Sequence, residues 1–320
     1  MSKFDEQYLN LCERVLAQGE RVVNYKKTAD VRSKRAASAM PNHVAQGEAE
    51  SATIRLPHQV LEFDLEEEFP VLTTKQTSFK SAILEMLWIW QVQSNDVGWL
   101  HERKVAIWDE WEIPADAMYH GRDFAKMYKE KGLDEDPRGT IGTAYGWIAK
   151  RYQLTQTLIE TLKNDPGNRR MVLSLWQNEW LETAALPSCV WSNEWNITDG
   201  RVNLLVNSRS TDIPLGLPFN ITQYAAFCCL IAHCLGLKPG RMTFATNDAH
   251  IYENQIDGIK EQLQRRDEKL RADGKLFDAP KLWINPEVKD FFKFDNSRAL
   301  KDIRLEGYQH MGRIKMPITE

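Results

Sequence analysis

The chain is poor in cysteine, has no long hydrophobic run and shows no marked excess of either charge. Its five cysteines among 320 residues are irregularly spaced and predict neither a disulfide framework nor a metal site. No stretch is long and apolar enough to span a bilayer, and the N-terminal residues lack the basic-then-apolar order of a signal peptide. A net charge of −4 argues against a broad nucleic-acid-binding surface. We therefore expect a cytoplasmic protein without metal, membrane or nucleic-acid partners.

The length and the 42% content of hydrophobic residues are sufficient for one large domain spanning 1–320. Apolar residues at helical spacing predict helices at 5–18, 79–93, 98–103, 153–163, 221–237 and 251–264. Apolar runs predict strands at 171–176, 189–197, 202–206 and 241–246, and late edge strands at 282–284 and 303–305. Because helices and strands alternate irregularly, with many antiparallel-style neighbours, we expect an α+β fold and no doubly wound sheet.

Two segments show no periodicity and predict insertions into this domain. Residues 25–55 are basic at first and then rich in alanine and serine, which is typical of a mobile surface insertion. Residues 114–137 are polar and contain glycines, which predicts a second loop insertion.

The residues 207–220 form the most informative stretch of the chain. They follow an apolar strand and lead into an apolar helix, so they place Arg209 and Asn220 near one strand-to-helix junction. Cys189 lies twenty residues upstream of this arginine. A thiolate can attack a pyrimidine ring, a guanidinium can bind phosphate, and a carboxamide can pair with the edge of a base. The combination indicates chemistry on a phosphorylated pyrimidine.

The pattern Arg-Ser-x-Asp followed by Leu-Gly-Leu-Pro-Phe-Asn in this stretch resembles the thymidylate synthase family. Further matches follow in the family's order at 69–75, 85–88, 107–111, 145–146, 165–170, 248–252 and 307–317. The resemblance covers the chain from residue 56 onward. It implies a large mixed sheet flanked by helices, with one sheet face at a homodimer interface. It also implies transfer of a one-carbon unit from 5,10-methylenetetrahydrofolate to carbon-5 of dUMP, without a metal.

The resemblance also implies roles for the catalytic residues. Cys189 is the nucleophile, and a nearby cation such as Arg209 would lower its pKa. Glu85 and Tyr145 would move protons around carbons 4 and 5 of the ring, and Asn220 would select uracil. From the residues alone, Glu85 could instead make a structural hydrogen bond and Asn220 could be a helix cap.

The remaining site residues would bind the two substrates. By resemblance, the nucleotide is held by Arg209, Ser210, His250, Tyr252 and, across the dimer interface, Arg169 and Arg170. The folate would contact an apolar slot and two charged residues, namely Ile107, Trp108, Trp111, Leu215, Phe219, Asp212 and Lys75. Without the resemblance, an arginine pair or a lysine after a strand is more often simply solvated.

Several positions depart from the family's pattern. Val190 stands where the family has a histidine, and the arginine of the Arg-Thr-Gly-Thr loop has no counterpart, with Arg32 or Arg35 as candidates to replace it. The chain ends in Thr319 and Glu320, not in a small apolar residue. Because exclusion of water decides between a methyl and a hydroxymethyl product, these changes favour a deoxyuridylate hydroxymethylase, as in phages, over a thymidylate synthase. A nucleotide-binding protein without catalysis is the alternative of another class.

Overall fold

A seven-stranded mixed sheet forms the centre of the computed structural model, which describes residues 2–25 and 49–318. The strands in chain order are β1 Glu20–Tyr25, β2 Ala49–Asp64, β3 Met118–Tyr119, β4 Arg122–Asp123, β5 Val172–Ser174, β6 Val190–Thr198, β7 Arg201–Ser208, β8 Thr211–Asp212, β9 Lys238–Tyr252, β10 Lys281–Ile284 and β11 Ile303–Glu306. The order in the large sheet is β1-β2-β9-β7-β6-β5, and β8 also pairs with β9. The β7–β9 and β8–β9 pairs are parallel and the other pairs are antiparallel.

Eight α-helices in the described residues surround this sheet. They are α1 Lys3–Gln18, α2 Phe79–Leu87, α3 Val97–Glu102, α4 Phe124–Glu130, α5 Gly146–Arg151, α6 Leu154–Asn164, α7 Gly216–Leu235 and α8 Ile256–Asp273. The most apolar is α7, which contacts α2, β7 and β9 and stacks Phe227 on Trp90 with ring centroids 5.0 Å apart. No helix within 2–25 or 49–318 is long and apolar enough to cross a membrane.

The N-terminal helix is fixed to the core by a buried carboxylate. Both oxygens of Asp5 accept hydrogen bonds, at 2.7–3.1 Å, from the backbone and hydroxyl groups of Thr73 and Thr74. Since a buried carboxylate is costly unless its oxygens are satisfied, this network explains how aspartate is tolerated in the apolar contact between α1 and the chain after β2.

The α+β fold with a large mixed sheet is confirmed, and most predicted elements are present. The predicted helix 79–93 is α2 extended by a π-helix, Trp88–Val92. The predicted helix 251–264 is wrong at its start, because β9 continues to Tyr252 and α8 begins only at Ile256. The predicted late edge strands, β10 and β11, pair with each other and not with the large sheet.

The two predicted insertions are also only partly correct. Residues 49–55 are not a loop: they form the first half of β2, which pairs with β1 on one side and β9 on the other. Residues 26–48 lie outside the described residues. The segment 114–137 contains the β3–β4 hairpin and α4, whose Phe124 and Tyr128 are buried in the core. Long-range packing thus orders parts of both segments in which the local sequence has no periodicity.

Candidate active site

One cavity of about 530 Å³ gathers most of the predicted site residues at the junction of the sheet with α7. Fourteen of the seventeen line it: Glu85, Ile107, Trp108, Trp111, Tyr145, Cys189, Arg209, Ser210, Asp212, Leu215, Phe219, Asn220, His250 and Tyr252. The exceptions are Lys75, Arg169 and Arg170. Residues from six separate parts of the chain therefore meet in one concave space, as expected of a ligand site.

The cysteine of this cavity lies directly beside an arginine. The Sγ atom of Cys189 is 3.6 Å from Nη2 of Arg209, at the start of β6. The guanidinium is fixed by donating from Nε to the Ser188 carbonyl oxygen (3.1 Å) and from Nη2 to that of Pro187 (2.7 Å). Burial nevertheless raises the pKa of Cys189, and it outweighs the opposing effects of Arg209 and Tyr145. Arg209 thus lowers this pKa as predicted, but its effect does not offset that of burial.

Tyr145 supports the same cysteine through the backbone. Its Oη accepts a 2.8 Å hydrogen bond from the Cys189 N–H. The tyrosine has φ 44°, an unfavourable value for a residue with a side chain, and immediately precedes α5. The next residue, Gly146, must be a glycine, because a Cβ atom at this position would lie 2.0 Å from the Ser94 carbonyl oxygen. The Tyr-Gly motif is thus required by a tight contact and places a hydroxyl beside the candidate nucleophile.

Glu85 is a carboxylate held by two donors in a desolvated position on α2. Trp108 Nε1 donates to its Oε1 at 2.7 Å, and Gln223 Nε2 donates to its Oε2 at 2.8 Å. Burial raises the pKa of Glu85 to about 7, against the effect of both hydrogen bonds. The carboxyl group is therefore suited to both donating and accepting a proton near neutral pH. The following π-helix is a type of distortion often found at functional sites.

Gln223 was not predicted as a site residue, although a signal for it was present in the sequence. It lies three residues after Asn220 on α7, and residues at this spacing share one helix face. The carboxamide of Asn220 itself makes no hydrogen bond to any other described residue while lining the cavity. Both its donor and its acceptor are accordingly available to a ligand.

Asp212, the predicted contact of a pterin, is linked to the C-terminal tail. Its Oδ1 accepts from the Leu215 N–H at 2.9 Å and its Oδ2 accepts from Gln255 Nε2 at 3.0 Å. The same Nε2 donates to the Pro317 carbonyl oxygen at 3.1 Å. Gln255, which the sequence analysis also missed, is fully buried and so joins the tail to the cavity wall. The next residue of the tail, Ile318, lines the cavity. Thr319 and Glu320 lie outside the described residues.

Aromatic rings form one wall of the cavity. The Trp108 ring centroid lies 5.4 Å from that of Trp111 and 5.2 Å from that of Tyr145. Tyr119 and His120 also line the space, and they come from the β3–β4 hairpin that the sequence predicted as a loop. This wall can cover a flat ring system, so the residues present fit a pterin. No group of side chains among the described residues could hold a metal ion.

Three predicted residues lie elsewhere. Lys75 is only 6% exposed and donates from Nζ to the Pro214 carbonyl oxygen, and burial lowers its pKa to about 8. Because α1 covers it, with the Tyr8 ring 5.9 Å from Nζ, Lys75 is not simply solvated, and its contact with a glutamyl tail stays a prediction. Arg169 and Arg170 are exposed after α6, outside this chain's cavity, and Arg32 and Arg35 fall outside the described residues.

Comparisons with known proteins agree with this geometry. The sequence profile of the thymidylate synthase family matches residues 6–320. A thymidylate synthase of Clostridium beijerinckii is 45% identical over 267 residues, covering 83% of this chain and 89% of that protein. One of Bacillus phage phi3T is 33% identical over 319 residues, with both chains covered completely. The solved structure of thermostable thymidylate synthase A from Bacillus subtilis superposes with a TM-score of 0.75 at 30% identity, covering 100% of this chain and 99% of that one. The chain belongs to the thymidylate synthase family of one-carbon transferases, which use methylenetetrahydrofolate as co-substrate.

Proposed function

We propose that this chain methylates carbon-5 of dUMP and is thus a thymidylate synthase. The contact between Cys189 Sγ and the Arg209 guanidinium, in a cavity that also presents the Asn220 carboxamide, carries the proposal. The named relatives support methylation, since each is a thymidylate synthase. The hydroxymethylase favoured by the sequence analysis has no such support. That preference rested on Val190, on the last two residues and on the likeness of the 145–147 and 206–212 patterns to phage pyrimidine hydroxymethylases, and the alternative fits the relatives better.

Recognition of the base is the first step. The Asn220 carboxamide offers one donor group and one acceptor, which matches the N3–H and O4 edge of uracil. Cytosine presents the reverse pattern at that edge, so asparagine discriminates against it only while its carboxamide is held in one orientation. His250 and Tyr252, whose rings are in edge contact with centroids 5.1 Å apart, are our candidates for holding the deoxyribose hydroxyl.

Covalent attack follows once the base is in place. The Cys189 thiol loses its proton to solvent, and the nearby Arg209 guanidinium stabilises the thiolate that remains. The sulfur forms a bond to carbon-6, the electron pair of the carbon-5–carbon-6 double bond moves toward carbon-5 and O4, and carbon-5 becomes nucleophilic. Glu85 donates a proton to O4 as charge develops there and takes it back later, which suits a pKa of about 7.

The one-carbon donor would lie against the aromatic wall. Trp108, Trp111 and Leu215 would cover its pterin, and Asp212 would accept hydrogen bonds from the pterin nitrogens. When bound, the folate supplies the methylene group and the hydride that methylation requires. The proton of carbon-5 must also leave, and we assign its removal to the Tyr145 hydroxyl, acting through water. Once the hydride has reached the methylene group, the carbon-5–carbon-6 double bond re-forms and the Cys189 sulfur leaves carbon-6 as the thiolate, which frees the product. The tail that ends near Ile318 would exclude bulk water from this step.

The phosphate would bind at Arg209 and Ser210, beside the nucleophile. Arg169 and Arg170 lie outside this cavity, and within the described residues their side chains have no ion-pair partner. We propose that they complete the phosphate site of a second copy in a homodimer, since bidentate arginine–phosphate pairing is the physical reason for arginines at an exposed turn.

Product analysis tests the proposal directly. The chain is incubated with dUMP and methylenetetrahydrofolate, the nucleotide is identified by mass spectrometry, and dihydrofolate is followed by absorbance. Equal amounts of thymidylate and dihydrofolate are expected. Hydroxymethyl-dUMP without dihydrofolate would overturn methylation. Binding of dUMP without any product would indicate the binding-protein alternative.

A covalent trap tests the nucleophile separately. With 5-fluoro-dUMP and the folate, the wild-type chain should gain the mass of a ternary adduct at the peptide containing Cys189. Cys189→Ser should lose this adduct. The matched control is Cys234→Ser, because Cys234 is half-buried on α7 and does not line the cavity. An adduct on any other peptide would contradict the assignment.

A further inference from the structure

Arg209 is the only arginine or lysine that lines this cavity in the part of the chain that the structure describes. A phosphate monoester carries a charge of about −1.5 to −2 at neutral pH. Arg209 already uses Nε and Nη2 on two carbonyl oxygens and on Cys189 Sγ. Asp248 adds a negative charge at the same place, since its Oδ2 accepts from Ser210 Oγ at 3.2 Å. A further cation of this chain would therefore favour binding.

Strand register places Arg55 next to two residues of the cavity wall. Asp212 of β8 pairs with His250 of β9, and His250 pairs with Arg55 of β2. Directly paired residues on neighbouring strands point to the same face of a sheet, and the strands are about 4.8 Å apart. Asp212 and His250 line the cavity, and Arg55 continues their row just beyond its lining. Arg55 is the outer member of the row, with its side chain 33% exposed.

The Arg55 guanidinium is oriented toward the same carboxylate oxygen that Ser210 contacts. Its Nη1 is 3.6 Å from Asp248 Oδ2, and its Nε donates to Thr53 Oγ1 at 2.8 Å. Burial raises the pKa of Asp248, but His250 and Arg55 outweigh it and bring the pKa below its usual value, so the carboxylate is charged. Without Arg55, a phosphate at Ser210 would meet this charge at close range and be repelled.

The effect of Arg55 also reaches the sugar end of the site. Burial raises the pKa of Tyr252 to about 12, while the positive charge of Arg55 opposes this rise. Tyr252 lines the cavity and pairs with Thr53, two residues before Arg55 on β2. The guanidinium thus lies within electrostatic range of a predicted nucleotide contact, independently of its contact with Asp248.

We propose that Arg55 binds the phosphate of the nucleotide in its own chain, bridging that phosphate and Asp248. A planar guanidinium can bond two anions along separate edges, so the Asp248 contact orients Arg55 and need not break on binding. This inference rests on the proposed function, because it takes a 5′-monophosphate as the ligand. It assigns a binding role to a residue outside the motifs that carry the family resemblance.

Calorimetric titration of the full chain tests the proposal with two ligands, dUMP and deoxyuridine, which lacks the phosphate. Arg55→Gln should raise the Kd for dUMP about 10- to 100-fold, as for loss of a charged hydrogen bond. Its Kd for deoxyuridine should change less than about twofold, since only the phosphate contact is lost. Arg55→Lys should lie between the wild type and Arg55→Gln. Arg241→Gln is the matched control, because Arg241 is exposed at the opposite end of β9, and it should bind as the wild type does.

Two results would overturn the role of Arg55: unchanged dUMP affinity in Arg55→Gln, or an equal loss of affinity for both ligands, which would indicate a purely structural effect. If Arg55→Gln does not fold, Arg55→Lys serves as the test. It should still lose affinity for dUMP and not for deoxyuridine, because lysine lacks the planar guanidinium. A wild-type chain that methylates dUMP while Arg55→Gln binds it normally refutes this proposal alone. A wild-type chain that does not bind dUMP refutes the proposed function and this proposal together.

Discussion

Trp108 Nε1 donates a 2.7 Å hydrogen bond to Glu85 Oε1, so the aromatic wall of the cavity also holds its acidic group. A ligand that packs on the indole will therefore change the surroundings of the carboxyl group at the same time. In the proposed reaction, this contact links folate binding to proton transfer at the base. It also makes Glu85 a source of pH dependence in the free protein.

Glu85→Gln should change how stability depends on pH. Burial raises the pKa of Glu85 from 4.5 to about 7 in the folded chain. Between these values the folded chain binds more protons than the unfolded chain, so the free energy of unfolding falls as pH rises. At about 1.4 kcal/mol per pKa unit, the loss is about 3 kcal/mol at most by pH 8. Urea unfolding at pH 5 and pH 8 should show this contribution in the wild type and not in Glu85→Gln. The exposed control, Glu287→Gln, should show the wild-type difference in unfolding free energy between pH 5 and pH 8. The same difference in Glu85→Gln would contradict the prediction.

Tyr145→Phe should destabilise the chain and slow turnover. The substitution leaves the part-buried Cys189 N–H without its acceptor, which costs about 1–3 kcal/mol of unfolding free energy. It also removes the hydroxyl assigned to proton removal. Chemical unfolding and single-turnover kinetics measure the two effects. Tyr152→Phe is the control for turnover and should keep the wild-type rate, because its hydroxyl contacts Glu179 and Trp180 Nε1 outside the cavity. Wild-type stability and rate in Tyr145→Phe would refute both effects.

Asn220→Asp should shift the preference from uracil toward cytosine. An ionised aspartate can only accept hydrogen bonds, so it matches the amino group of cytosine and repels the O4 of uracil. We expect kcat/KM for dUMP to fall about 100-fold, with measurable binding of dCMP. Asn10→Asp, on the exposed side of α1, introduces the same charge change without this effect. Unaltered discrimination between the two nucleotides would exclude a base-selecting role for Asn220.

Gln255→Ala should weaken folate binding and release the tail. The substitution removes the donors to Asp212 and Pro317 and the acceptor of the Tyr252 N–H. A loss of hydrogen bonds of this kind predicts a rise in KM for the folate of about tenfold. Carboxypeptidase should also trim the C-terminus faster. Gln264→Ala on the exposed face of α8 should behave as the wild type. A wild-type KM for the folate, together with a C-terminus that carboxypeptidase trims no faster, would show that Gln255 does not link folate binding to the tail.

The strand-to-helix junction at 207–220 was predictable because its order is local. A strand, a turn and an apolar helix follow each other directly, so the sequence alone brings Arg209, Asp212 and Asn220 together. Features that depend on distant packing were not predictable. Lys75 is buried because α1, about sixty residues earlier, covers it. The Cys189 pKa is set by burial, which no motif encodes.

Strand pairing and the contacts of the C-terminal tail could not be predicted from the sequence either, because they also depend on residues far apart in the chain. The first half of β2 pairs with β9, about 200 residues later, and shows no clear pattern of its own. Gln255 meets Pro317 across 62 residues. The register that brings Arg55 into line with His250 likewise exists only in the assembled sheet. Local patterns thus pointed to the proposed nucleophile and the proposed base-selecting residue, whereas the residues that support them required the tertiary structure.

The helix α7 carries Asn220 and Gln223 and is also the hydrophobic centre of the molecule, with fourteen buried residues. Amide groups in such a helix exchange with solvent only when most of the chain opens. The backbone that positions the proposed base-selecting residue should therefore persist as long as the folded state itself. Local unfolding of α7 should rarely change which base is bound. Changes in base specificity should instead arise mainly from substitutions of side chains on an unchanged backbone.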